Sequence, residues 1–212
     1  MPRLRQVPKA EAAPEALAAY QRLFGDRDPV AEPGTATGTP GNWWTVFALV
    51  PDILVHAQDG FALLASRRRT LTPFQRELAL VRTGYLGASQ FVYSQHCKAA
   101  RAAGIPEEKL AAIPAWQTAD IFDPSERAIL AYTDELVLQD GRVHDATFAA
   151  LRRALPDEAI LELSYAVGTY RLHATICRAL RLEYDDIEER IVEVPAPGQS
   201  GAIDVMGQIA RQ

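Results

Sequence analysis

Residues 72–113 read TPFQRELALVRTGYLGASQFVYSQHCKAARAAGIPEEKLAAI, and this stretch decides the fold class. Thr72 is followed by Pro73 at the first helical position and Gln75 at the third. A threonine and a glutamine so spaced satisfy each other's free backbone donors, so a helix is expected from 73 through Gly84. Gly87 and Ser89 then open a second helix that runs to Gly104, a glycine placed where a chain leaving a helix turns left-handed. The short GYLGAS turn folds the two helices antiparallel. It thereby sets Glu77 and His96 on neighbouring segments.

Working outward, the same punctuation recurs. Ile105-Pro106-Glu107-Glu108 starts a short helix with acids in its electropositive first turn. Asp123-Pro124-Ser125-Glu126 repeats the Thr72 signal and introduces a helix through about Gln139. Asp145 is expected to cap another that ends near Leu155, and Asp157 begins the long apolar helix AILELSYAVGTYRLHATICRAL. TPFQREL (72–78) and DPSERAI (123–129) form a weak internal echo in which Glu77 is matched by Ala128. Upstream, Ala13, Leu17, Tyr20, Leu23 and Phe24 recur at helical spacing within 10–24. The Gly-, Pro- and Thr-rich 25–42 reads as a mobile surface loop, with a lid or subunit-crossing arm as the alternative. From Asn42, a candidate cap, the text turns apolar, and Pro51 ends one helix or begins the next. The expected organisation is an N-terminal helix and loop (1–41), a helical domain (42–185) and an exposed C-terminal arm (186–212). The fold class is all-α.

Composition narrows the function classes. The chain has 212 residues, 48% apolar and 23% charged, with a net charge of -5, enough length for a sizeable core and no basic footprint for nucleic acid or anionic lipid. The opening MPRLRQVPKAEAAPEAL lacks the apolar stretch of a secretory signal, and no apolar run approaches the roughly 20 residues of a membrane span. Two cysteines, Cys97 and Cys177, are too few for a disulfide framework and fit a reducing cytoplasm. Both are read as structural. The four histidines, His56, His96, His144 and His173, show no metal-ligand spacing, and no phosphate-binding glycine loop is present, so no cofactor is expected.

Chemistry concentrates in the opening window. A carboxylate beside a histidine fixes its tautomer and raises its basicity, and imidazole titrates near neutral pH. Glu77 and His96 supply that pair, the minimum for moving one proton; the alternative reading is a structural ion pair in a non-catalytic helical binding or assembly protein. Tyr93 lies three residues before His96 on the same helix face. Arg82 is the nearest candidate anchor for an anionic substrate, ahead of Arg67-Arg68-Arg69. Of Trp43 and Trp44, one should face the core and the other, taken as Trp44, reach a pocket mouth or partner. His56 reads as a surface or interface residue, and His173, with Tyr170 and Arg171 nearby, as a packing histidine, a supporting role at the site being the alternative.

The window resembles the carboxymuconolactone decarboxylase and alkylhydroperoxidase AhpD-like family. The likeness is carried by Arg-Glu-Leu at 76–78, His96, Ala-Gly at 103–104 and the Glu-Glu that follows, with SERAILAYTDEL and DATFAALRR extending it, so that it spans about 45–185. It implies a helical bundle assembled as a homo-oligomer, often a trimer or hexamer, acting on a small molecule. In the peroxidase branch a Glu and a His relay protons to a Cys-x-x-Cys pair. Glu77 and His96 match the relay, but Ser89 and Val92 occupy the cysteine positions, which leaves dithiol peroxide reduction without its nucleophile. The thiol-free decarboxylase branch implies proton transfer to a carbanion, with His96 as donor or acceptor, Glu77 its orienter and Tyr93 a hydrogen-bonding or wall residue. That branch often carries Tyr-Glu-Trp before the histidine, where this chain has Phe91-Val92-Tyr93.

Overall fold

The computed structural model describes residues 1–36 and 38–183, and the tail expected as an arm lies outside them. Among the described residues, regular structure is helical throughout: α1 (Pro14–Phe24), α2 (Asn42–Phe47), α3 (Pro51–Ala65), α4 (Pro73–Leu86), α5 (Gln90–Ala102), α6 (Glu107–Ala112), α7 (Pro124–Leu138), α8 (Asp145–Ala154) and α9 (Asp157–Leu180), with short 3₁₀ turns at Lys9–Glu11 and Ile113–Thr118. The chain divides into two compact units. One comprises residues 1–66 with 176–183, the other residues 67–175. The division falls inside the segment read from sequence as a single helical domain.

In the first unit, α1 buries Ala16, Ala19, Tyr20 and Phe24, while Leu17, expected on that face, points outward. The Tyr20 hydroxyl donates to the Val7 carbonyl at 2.8 Å, so the buried phenol keeps a partner. Trp43 is the core tryptophan, stacked on Phe47 at 4.0 Å. Asn42 does not cap α2 as expected, because Gly41 takes that position in a left-handed conformation. The Glu183 carboxylate caps instead, accepting from the Gly41 amide at 3.0 Å and the Trp43 amide at 2.7 Å. A buried carboxylate from far along the chain thus satisfies donors that a local side chain usually meets. The 25–42 connection carries its own bonds. Asp28 accepts from the Lys9, Val30 and Ala31 amides, and Arg27 donates to the carbonyls of Glu32 and Gly34.

The second unit is built around α4. Every residue from Glu77 to Gly84 is buried, as befits a helix surrounded by others rather than one with a wet face. It packs chiefly against α5 and α7. Leu78, Val81, Ile129, Leu130, Leu151 and Leu163 form its centre. Both expected capping boxes form, Thr72 with Gln75 and Asp123 with Glu126. The echo between α4 and α7 is therefore real at the level of their starts. Gly104 sits at φ 87°, the left-handed exit expected of it. Asp145 departs from expectation: it is the first helical residue of α8, His144 holds the cap position, and neither side chain caps.

Candidate acid–base site

The turn between α4 and α5 explains how two distant residues meet. The Gly87 amide bonds to Thr83, Ala88 to Tyr85 and Ser89 to Gly84, closing α4 within three residues, with Ala88 in the left-handed region at φ 46°. Ser89 then caps α5 through the Val92 amide. The two helices lie unusually close because Gly84 has no side chain. A Cβ built there stands 2.6 Å from the Tyr93 nitrogen and 2.8 Å from its Cα.

Across that approach the Glu77 Oε2 and His96 Nδ1 stand 2.7 Å apart, both residues buried. Arg76 donates from Nε to the other carboxylate oxygen at 2.9 Å. Burial pushes the Glu77 carboxyl up, but the His96 hydrogen bond and charge and the neighbouring Arg76 outweigh it, holding it below the usual carboxylate range. An ionised carboxylate only accepts, so Nδ1 must donate. His96 Nε2 makes no hydrogen bond among the described residues, and the side chain keeps 10% of its surface exposed. The imidazole therefore has one nitrogen committed and one to spare.

α9 supplies the third side. The Tyr170 ring stands perpendicular to the His96 ring, centroids 4.2 Å apart at 87°. Burial and the Glu77 charge push the Tyr170 hydroxyl up to about 12. His173, one helical turn on, lies 5.8 Å from Tyr170. Burial, with the His96 charge adding to it, lowers its imidazole to about 4. The sequence reads His173 as packing, with a supporting role at the site as the alternative, and offers Tyr170 only as its neighbour. Their three-residue spacing marks one face of α9, but only packing shows which helix that face meets.

Other expected residues fall elsewhere. Tyr93 shares α5 with His96, yet its hydroxyl hydrogen-bonds Cys97, and its ring belongs to the core. Its ring stands 6.1 Å from the Tyr85 ring of α4. Arg82 is engaged within the fold. Its guanidinium is buried and grips Asp134 at 2.6 and 3.0 Å, with further bonds to the Ile113 and Pro114 carbonyls at 3.0 and 2.9 Å. That forked clamp fixes the Ile113–Thr118 turn and leaves a poor anchor for a ligand. Trp44 belongs to the first unit, half-buried and edge-on to Trp43 at 4.8 Å. Ser89 and Val92 serve as helix cap and core residue. Burial pushes the Cys97 thiol up to about 11, and Cys177 is likewise buried and pushed upward. Among the described residues, no cluster of three or more His, Cys, Asp or Glu side chains could hold a metal ion.

The helical fold has counterparts among solved structures. The alkylhydroperoxidase AhpD core structure of a peroxidase-related protein from Ralstonia eutropha JMP134 superposes with a TM-score of 0.66 at 19% identity, covering 87% of this chain and 93% of that one. A protein of unknown function from Agrobacterium tumefaciens, named as a candidate antioxidant defence protein AhpD, gives a TM-score of 0.57 at 20% identity over 64% of this chain and 92% of that one. These likenesses define an AhpD-like helical fold. In sequence, residues 55–135 match the carboxymuconolactone decarboxylase family. That segment, which holds both Glu77 and His96, is similar to the carboxymuconolactone decarboxylase family. The uncharacterized protein YdfG of Bacillus subtilis (strain 168) is 24% identical over 99 residues, 46% of this chain and 67% of that protein.

Proposed function

We propose that the protein is a thiol-independent acid–base enzyme that decarboxylates or isomerises a small organic acid or lactone, with His96 as the proton-transferring group. The observation that carries this reading is the 2.7 Å Glu77–His96 contact, which occupies Nδ1 and leaves Nε2 uncommitted. In a decarboxylation, the bond to the departing carboxylate breaks and its electron pair passes into an enolate. The imidazolium then gives its Nε2 proton to carbon, and Glu77 keeps the ring oriented while its charge stabilises the imidazolium. In an isomerisation the neutral ring first removes a proton from one carbon and returns it to another. A positioned acid or base of this kind is worth roughly 10²–10⁴ in rate.

Peroxide reduction by a dithiol is not favoured. The positions for such a pair are a cap serine and a core valine, and the Cys97 thiol is held protonated by burial. The test is turnover of a panel of carboxylated lactones and β-keto acids in deuterated water. Deuterium should appear on the product carbon, should be lost in His96→Ala and should persist in Cys97→Ser. Peroxide consumption that needs Cys97, with no carbon-bound deuterium from any panel member, would overturn the proposal.

A further inference from the structure

We propose that Tyr170 on α9 is a positioning residue for the His96 imidazole, its perpendicular ring blocking rotation of the imidazole so that Nε2 keeps one direction. This inference rests on the acid–base reading above and assigns the site a third helix.

The imidazole turns about its Cβ–Cγ bond, a torsion with broad minima. One hydrogen bond at Nδ1 tolerates a range of angles, so it leaves Nε2, on the far side of the ring, some freedom. Ring-centroid distances of about 4.5–7 Å are usual for aromatic pairs, and the His96–Tyr170 separation of 4.2 Å lies below that range. A perpendicular neighbour so close must itself move before the imidazole can turn. Tyr170 is in turn backed by His173 at 5.8 Å, and α9 buries Leu163, Ala166, Val167 and Ala174 on the same side of the helix. The ring is thus held by packing that does not depend on Glu77.

The titratable and charged groups around His96 are Glu77 and Arg76 from α4, and Tyr170 and His173 from α9. Of these, Glu77 and Arg76 supply charge, of opposite sign and paired with each other at 2.9 Å. The Tyr170 hydroxyl stays protonated at working pH and His173 stays neutral, so α9 contributes shape without adding charge. A role based on ring shape separates the variants. Tyr170→Phe keeps the ring and should leave kcat within about twofold. Tyr170→Leu removes it and should lower kcat by about 10–100-fold with KM little changed, the scale of a misplaced reacting group.

The same pair of variants is read without substrate by following the His96 ring carbon resonance through a pH titration. Wild type and Tyr170→Phe should give one sharp line with a common midpoint. Tyr170→Leu should give a broadened or doubled line with a displaced midpoint. Should Tyr170→Leu fail to fold, Tyr170→Met retains bulk without a rigid plane and should behave in the same way. A Tyr170→Leu or Tyr170→Met protein that is folded and keeps the wild-type resonance and midpoint overturns the proposal, whatever its melting temperature. Loss of the proton-transfer reading would show instead as full turnover in His96→Ala, which the resonance experiment does not touch.

Discussion

Replacing Gly84 by alanine distinguishes a close helix approach from an ordinary helical glycine, because the two predict opposite signs. In an unobstructed helix, alanine is favoured over glycine by about 1 kcal/mol, and the variant would be more stable. Here the new methyl meets backbone, 2.6 Å from the Tyr93 nitrogen and 3.1 Å from the Val92 carbonyl carbon, where ordinary contact begins at 3.4 Å. Backbone cannot rotate aside as a side chain can, so α5 must retreat from α4 by several tenths of an ångström. Overpacking of this kind costs about 1–3 kcal/mol, and the contacted atoms argue for the upper part of that range. After the propensity gain, a net loss of about 1–2 kcal/mol remains. For a chain of this length that is a fall in Tm of roughly 2–8 °C. The retreat also stretches the 2.7 Å Glu77–His96 hydrogen bond toward the edge of bonding distance, so turnover per folded molecule should fall as well. Calorimetry on wild type and Gly84→Ala, with kcat measured well below both melting points, reads both effects. A Gly84→Ala protein with an unchanged or higher Tm would refute the close-approach argument.

Acid stability should report His173. Its folded value of about 4 lies below the ordinary 6.5, so its contribution is complete above pH 6.5 and is lost as pH falls toward 4, amounting to about 3 kcal/mol; urea midpoints across that window should fall in wild type and stay flatter in His173→Gln. Arg82→Leu leaves Asp134 and two carbonyls without their clamp and should cost about 3–5 kcal/mol in urea denaturation. Arg82→Lys keeps the charge but not the fork, and should lower stability while leaving KM within about twofold; a large rise in KM would restore the ligand-anchor role. Cys97, with its thiol near 11 against an ordinary 9.0, should react with iodoacetamide at neutral pH about 100-fold more slowly than an unperturbed thiol, and a rate equal to that of free cysteine would contradict the buried environment.

Much of this architecture was legible because it is locally encoded. The Thr72–Gln75 and Asp123–Glu126 boxes, the prolines after them and the left-handed Gly104 each act within a few residues, and each appears where the sequence puts it. The Glu77–His96 pairing was legible for a related reason: one short hairpin carries both. What failed depends on partners distant in the chain. Asn42 lost its capping role to Glu183, 140 and more positions away, which no local pattern announces. Arg82 looked like a cation awaiting an anion, but the carboxylate it serves, Asp134, sits 52 residues further on, in α7. Tyr93 was preferred over Tyr170 because shared helix spacing is visible in sequence and interhelical packing is not. A face of α9 bearing Tyr170 and His173 could have been noted from spacing alone. Its apposition to α5 could not.

The most direct test of the account is the protonation pattern of His96 itself, read from imidazole ¹⁵N shifts and one-bond couplings in the neutral form. The account predicts a single tautomer with the proton on Nδ1, directed at Glu77, and a bare Nε2, with this preference weakened in Glu77→Gln. A neutral ring carrying its proton on Nε2, unchanged by Glu77→Gln, would contradict it.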